Sequence, residues 1–269
     1  MKEQILNYLE SPLRDSVLWF DTIDSTNTQA KLLAARGAPH GTVLIADHQT
    51  VGRGRLGRTF LSPAGSGIYL SMILRPHCSP GALMHLTCAA AVAAVSAIEA
   101  LTDKRPAIKW VNDMYLNGCK AGGILTEAVT RPDGLHRMAV GIGLNLSTTE
   151  FPEGLRAPAA SLFTGEEAAA LPSDFPDTLA GEIARRLLEL AEASPACPFP
   201  EGMKGEACLD FYRRRLLYVG EPVVCTRGAE RIEGILQGVD RDYSLLVDTD
   251  GEVLTLSSGE ISVRPLEKN

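Results

Sequence analysis

The sequence predicts an α+β fold, a mixed sheet with helices followed by a small antiparallel barrel. Apolar runs of strand length interleave with stripes of helical period from residue 17 to about 217. From Val219 onward the texture changes to short strands at even spacing, with turn residues between them. A chain of 269 residues, 45% hydrophobic and 22% charged, can bury a core of that size. The division falls at 1–217 and 218–269.

The opening MKEQILNYLE sets one lysine, acids and an asparagine inside a short apolar stretch, which suits an amphipathic helix and not a signal peptide. Residues 17–23 read as a strand running into Asp24-Ser25-Thr26-Asn27, a run of helix-capping residue types. The helix that follows has Ala30, Leu33 and Ala34 on one face and closes at Gly37. Strands at 42–47 and 67–74 flank a glycine- and arginine-rich loop at 49–58. Ser79-Pro80 opens a helix to about residue 101 whose alanine-rich face suits close packing on a sheet. Strands and tight turns fill 106–146: Asn117-Gly118 is a two-residue hairpin signal, and 120–129 pairs with 135–146 across Pro132-Asp133-Gly134. Helices follow at 177–193, with Leu179, Ile183, Leu187 and Leu190 in a stripe, and at 205–217. Strands at 222–227, 231–239, 244–249 and 252–258 make the barrel, while 147–172 carries no chemistry that its pattern identifies.

Net charge is −7 and the isoelectric point about 5.3, so the whole chain is a poor nonspecific ligand for nucleic acid or an anionic membrane. The longest apolar run, 88–98, is 11 residues and mostly alanine, too short to span a bilayer. Six cysteines without a CxxC pair, and five histidines without HExxH, predict reduced thiols, no metal site and a cytoplasmic protein.

The stretch from Gln49 to Arg58 is the most informative. Gly52-x-Gly54-x-x-Gly57 matches the dinucleotide fingerprint as a pattern, but that fingerprint opens a helix and needs an acid about 20 residues on. Here Pro63 and a strand follow, and position 77 is histidine, which excludes a Rossmann site. What remains is a loop with three arginines, no acid, and three glycines that let the backbone approach a ligand. Crowded guanidiniums repel unless an anion sits among them, and arginine grips phosphate or carboxylate with paired donors. The expectation is a phosphate-binding loop.

If Asn117-Gly118 folds the chain back, Lys109-Trp110-Val111-Asn112-Asp113 faces Lys120-Ala121-Gly122-Gly123-Ile124 and brings Lys120 near Asp113. Spacing supports two readings equally: an ordinary cross-strand ion pair, or an ammonium set to neutralise a carboxylate as it attacks a phosphate. Gly141-Ile142-Gly143-Leu144-Asn145 reads by itself as close packing under a helix, and the 24–27 run is equally a helix cap or more. There is no GxSxG elbow and no GxxxxGK[ST] loop, so hydrolase and P-loop kinase readings lose support.

Taken together, these five segments resemble the biotin protein ligases, the bacterial enzymes that biotinylate acetyl-CoA carboxylase and its relatives. The likeness rests on Asp24 to Asn27, Gln49 with Gly52 to Arg58, Lys109 to Asp113, Lys120 to Leu125, and Gly141 to Asn145. It runs strongly over 17–146, and the terminal barrel agrees with the family's SH3-like domain. The resemblance implies a catalytic domain of the class II aminoacyl-tRNA-synthetase and biotin-ligase type, followed by that barrel. It implies a biotin--[biotin carboxyl-carrier protein] ligase: biotin and ATP, with Mg²⁺, give biotinyl-5′-AMP and pyrophosphate, and a lysine of the carrier protein then displaces AMP.

By position, the resemblance gives Ser25, Thr26, Gln49, Gly52, Arg53, Arg55, Lys120, Gly123 and Gly141 to biotin. Arg53, Arg55, Arg58, Trp110, Asn112, Lys120 and Asn145 fall to ATP and the adenylate. Lys120, Arg55 and Asp113 would be catalytic, Asp113 either orienting Lys120 or helping with the metal. The loop at 49–58 is expected to order over ligand and keep water from a hydrolysable acyl-adenylate. Two features depart from the family: Val111 stands where proline is usual, and about 16 residues precede the first strand. The helix-turn-helix that some members carry needs roughly 20 or more. With the acidic charge, that predicts a monofunctional ligase with no nucleic-acid partner and no membrane contact, and leaves a homodimer open. A lipoate or octanoate transferase lacks its usual RRxxGGG here, and a biotin sensor without turnover would not need Lys120 and three loop arginines.

Overall fold

The computed structural model describes residues 16–75, 82–130, 136–155, 157–192, 205–257 and 261–266. Strands β1 (Val17–Ile23), β2 (Thr42–Gln49), β3 (Gly67–Leu74), β4 (Ala107–Lys109), β5 (Asp113–Leu116), β6 (Cys119–Thr130) and β7 (His136–Asn145) form one seven-stranded sheet. Its order is β1-β2-β3-β7-β6-β5-β4, and β1 and β2 are its parallel neighbours. The helix α1 (Thr26–Ala35) makes the crossover between them, as a parallel pair requires. The sheet is mixed, as its sequence pattern predicts. The expected N-terminal helix, the Ser79-Pro80 cap and the Pro132-Asp133-Gly134 turn lie outside the described residues.

Helix α2 (Ala82–Leu101) explains its own alanine content. It is sandwiched between the sheet and α4 (Phe175–Glu192), so Leu86, Ala90, Ala94 and Ile98 and the residues between them are nearly all buried. A helix covered on both sides reads as apolar all round. By length and composition α2 is therefore apolar enough to cross a membrane, longer than the 88–98 run suggests, yet it sits inside the core. The predicted stripe of α4 holds: Leu179, Ile183, Leu187 and Leu190 are fully buried. Between the two, α3 (Gly165–Ala169) is a short helix closed by a capping box, in which Glu167 N donates to Thr164 Oγ1 and Thr164 N to Glu167 Oε2.

Helix α5 (Gly205–Arg215) leads into the second sheet: β8 (Pro222–Arg227), β9 (Glu230–Val239), β10 (Leu245–Thr249), β11 (Glu252–Leu256) and β12 (Ile261–Pro265). Its order is β11-β10-β9-β8-β12, all antiparallel; among the described residues the end strands do not pair to close it. The fifth strand, β12, is absent from the sequence reading. It pairs with β8 alone and ends on a proline, which an edge tolerates.

One apolar core runs through both sheets. Trp110 Nε1 donates to the Tyr243 carbonyl at 2.8 Å, Tyr212 Oη donates to the Val111 carbonyl at 3.2 Å, and the two tyrosine rings meet edge-on at 5.2 Å. The segment from Lys109 to Asp113 is thus clamped between α5 and the second sheet.

Candidate active site

A cavity of about 560 Å³ opens where the first sheet, the arginine loop and the second sheet meet. Its floor is the backbone of β6 and β7, where Gly123 pairs with Gly143 and Leu125 with Gly141. A side chain on either β7 glycine would displace a neighbour. A Cβ on Gly141 would stand 2.9 Å from Asn27 Oδ1, and one on Gly143 would stand 2.6 Å from the Phe60 ring. Close packing under a helix is therefore correct for Gly141, and the same bareness makes a slot.

The Asp24 to Asn27 run is a helix cap and something more. Ser25 Oγ accepts from Thr28 N at 3.4 Å, and Asp24 Oδ1 accepts from Ser25 N at 2.7 Å. Thr26 N and Oγ1 both donate to Gln49 Oε1, at 2.8 and 3.1 Å, while Gln49 Nε2 donates to Ser62 Oγ at 2.8 Å. Ser25, Thr26 and Asn27 are buried, and all three line the cavity with Gln49. This end is polar and largely buried, with its donors and acceptors fixed by one another.

The arginine loop is built as a small hairpin, with Phe60 N donating to the Gly52 carbonyl at 2.9 Å and Gly54 N to the Arg58 carbonyl at 2.7 Å. At its tip Leu56 and Gly57 take positive φ, 58° and 70°. Arg53, Arg55 and Arg58 all face the cavity. Arg55 Nη1 donates to Asn112 Oδ1 at 3.0 Å, and Asn112 Nδ2 donates to the Ile124 carbonyl at 2.9 Å, so one guanidinium is tied to the sheet. Gly52 corrects an expectation: it does not line the cavity. A Cβ there would fall 2.2 Å from the Phe60 carbonyl oxygen, so its role is to let two loop strands touch.

Lys120 Nζ and Asp113 Oδ1 are 2.6 Å apart and half-buried. A bulge brings them together with Gly123: Tyr115 pairs with Lys120, but Asp113 pairs with Gly123. Residues 120 and 123 would lie on opposite faces of a regular strand, and the extra residue sets both on Asp113's face. Tyr115 borders the same corner. Burial, and then the Asp113 charge, hold its phenol proton more tightly than in free tyrosine. Trp110 and Asn145 line the cavity as well, Asn145 Nδ2 donating to the Ala160 carbonyl at 3.2 Å.

Sequence reasoning missed two walls. Lys120 N donates to the Pro158 carbonyl at 2.8 Å and Ala160 N to the Lys120 carbonyl at 3.0 Å, which lays the stretch that includes 157–160 beside the Lys120–Asp113 corner. It presents Phe151, Pro152 and Leu155, an apolar wall. The other wall comes from the second sheet, including Thr226, Ser262 and Arg264. Neither carries a motif, since both are recruited by long-range pairing. Among the described residues no group of three His, Cys, Asp or Glu stands ready to hold a metal, and Asp113 is the one carboxylate on the lining.

The model of the biotin/lipoate A/B protein ligase family matches residues 19–145, the stretch that holds the glycine floor, the arginine hairpin and Lys120. The model of the biotin protein ligase C-terminal domain matches residues 218–264. The chain is 33% identical over 243 residues to a biotin--[acetyl-CoA-carboxylase] ligase of Mycobacterium tuberculosis, covering 88% of this chain and 85% of that one. It is 43% identical over 148 residues to the bifunctional ligase/repressor BirA of Bacillus spizizenii, a match that spans 54% of this chain and 46% of that protein's length. The solved biotin protein ligase of Aquifex aeolicus in complex with biotin and ATP superposes with a TM-score of 0.74 at 30% identity, over 93% of this chain and 99% of that one. The chain belongs to the biotin protein ligase family.

Proposed function

We propose that the protein joins biotin to ATP as biotinyl-5′-AMP, releases pyrophosphate, and passes the biotinyl group to a lysine of the biotin carboxyl carrier protein of acetyl-CoA carboxylase. The observation that carries this reading is one cavity with two unlike ends. At one end Ser25, Thr26, Asn27 and Gln49 offer donors and acceptors in largely buried surroundings, which suits a ureido ring that needs both. At the other, Lys120 Nζ lies 3.4 Å from where a Cβ on Gly123 would stand, and Arg55 and Arg58 are on the lining as well, which suits a carboxylate and a phosphate.

In the first step a biotin carboxylate oxygen bonds to the α-phosphorus, the bond from that phosphorus to the bridging oxygen breaks, and pyrophosphate leaves. Two anions must approach, so cations already fixed near the reacting atoms lower the barrier. Lys120 takes that place, oriented by Asp113, and Arg55 is steadied for the phosphates by Asn112. Arg58 adds to the same field, while the Arg53 guanidinium lies 3.8 Å from Glu127 at the ureido end. Trp110, Asn112 and Asn145 serve the nucleoside, and the apolar wall at Phe151 and Pro152 suits a flat base. In the second step the carrier amine bonds to the acyl carbon, the bond from that carbon to the phosphate oxygen breaks, AMP leaves and the amine gives up a proton to solvent. Mg²⁺ would supply charge neutralisation on the triphosphate, and Asp113, the carboxylate on the described lining, would be the side chain to hold it. The acidic net charge supports action without nonspecific binding to nucleic acid or an anionic membrane, and the six cysteines without a CxxC pair support a reducing, cytoplasmic compartment.

The test is to incubate the protein with ATP, Mg²⁺ and either biotin or lipoate, following pyrophosphate release and transfer to apo carrier protein, with Lys120→Ala alongside. Biotin-dependent transfer, falling by roughly 100- to 1000-fold in the variant, is expected. Turnover with lipoate alone, or tight biotin binding without turnover, would overturn the reading.

A further inference from the structure

We infer that Glu127 is a positioning residue: it fixes which edge of the Asn27 amide meets the ligand, and so favours head groups that carry N–H donors. The inference rests on the biotin reading of the cavity. Glu127 stands on β6 opposite Ala139, in the same alternate series as Gly123 and Leu125, which line the cavity. Its side chain thus leaves the cavity face of the sheet one step beyond the floor, under the N-terminal turn of α1.

Three groups converge on its carboxylate. Asn27 Nδ2 donates to Oε2 at 2.6 Å, Lys31 Nζ donates to Oε1 at 2.6 Å, and an Arg53 guanidinium nitrogen lies 3.8 Å from Oε1. A carboxylate can only accept, so Asn27 has to turn its NH₂ toward Glu127 and its carbonyl the other way. The carbonyl oxygen then lies over the bare Cα of Gly141, 2.9 Å from where a Cβ would stand, and accepts from Ser71 Oγ at 3.4 Å. Asn27 is 3% exposed, so this acceptor is desolvated as well as aimed.

The consequence is selectivity. A ureido N–H finds the Asn27 oxygen waiting beside Thr26 and Gln49. A dithiolane or plain alkyl head offers no donor, and leaves that acceptor with only the long 3.4 Å contact from Ser71 Oγ, whose single hydroxyl proton has a closer acceptor in Thr26 Oγ1 at 2.9 Å, which is penalised. Because Glu127 also holds Arg53, the same carboxylate ties the amide's orientation to the arginine hairpin.

The experiment measures kcat and KM for biotin, desthiobiotin and ATP by pyrophosphate release in the wild type, Glu127→Gln and Glu127→Ala, with melting temperatures recorded. Glutamine keeps the size but offers an NH₂ as well as an oxygen, so it no longer dictates the amide. The biotin KM should rise about 10-fold in Glu127→Gln and about 10- to 100-fold in Glu127→Ala, with kcat and the ATP KM within about threefold. Desthiobiotin, which keeps the ureido head, should lose in parallel. If Glu127→Ala fails to fold, the isosteric glutamine variant carries the test. An unchanged biotin KM, or biotin and ATP KM rising together as the melting temperature falls, would overturn the inference while wild-type turnover leaves the ligase reading standing. A wild type that releases no pyrophosphate with biotin would overturn both.

Discussion

Replacing Gly143 by alanine probes the cavity floor with one methyl group. The new Cβ would stand 2.6, 2.7 and 3.1 Å from three Phe60 ring carbons. Carbon atoms settle at roughly 3.5–4.0 Å, so the ring must withdraw by about 1 Å. The Phe60 backbone is held by its amide's bond to the Gly52 carbonyl, and the ring already abuts Tyr69 edge-on, with centroids 6.4 Å apart. The open direction is the cavity. Overpacking of this kind costs about 1–3 kcal/mol. Charged to ligand binding, that is a rise of about 5- to 150-fold in the biotin Kd. Isothermal titration of biotin measures it, and the Gly143→Ala/Phe60→Leu double variant, which removes the ring's edge, should recover most of the loss. Wild-type affinity in Gly143→Ala, with an unchanged melting temperature, would refute the claim that the bare backbone shapes the slot.

Two further outcomes follow from the same geometry. Trp110→Phe removes the donor to the buried Tyr243 carbonyl and should cost about 1–3 kcal/mol in urea unfolding, with a raised ATP KM because the Lys109 to Asp113 segment loses an anchor. Asp177 is 4% exposed, its Oδ2 has no hydrogen-bond partner among the described residues, and burial raises its pKa above the usual 3.8. The folded state therefore binds this proton more tightly than the unfolded chain, and stability falls as pH rises through the raised pKa. Asp177→Asn should flatten that slope and melt higher than the wild type near neutral pH; a variant that melts lower there would contradict the sign.

Local signals made much of the fold legible. Asn117-Gly118 does turn the chain, with φ of 50° and 79°, and delivers the Lys120–Asp113 pair that the spacing anticipates. The stripe of α4 and the cap at Ser25 follow from period and residue type. The bulge between β5 and β6 was not readable, because no residue type marks it and only the register on both strands reveals it. The Thr164/Glu167 capping box, by contrast, left a signal in a segment read as featureless. Gly52 shares a motif with residues that line the cavity, and its side-chain-free Cα serves the loop instead. Asn27, Phe60 and Ser71 were missed as lining residues because each belongs to an ordinary cap, loop or strand, and long-range packing alone aims them inward.

The cavity takes both Ser25 and Arg264, far apart in sequence, the latter on a strand that among the described residues pairs with β8 alone. During synthesis the catalytic sheet can therefore assemble well before the site has all its sides. A ribosome-bound chain stalled short of β12 would hold every motif residue yet present an incomplete pocket. Ligand affinity, followed as the nascent chain lengthens, should then switch on late and abruptly, and so report the arrival of β12 more than the folding of the larger sheet.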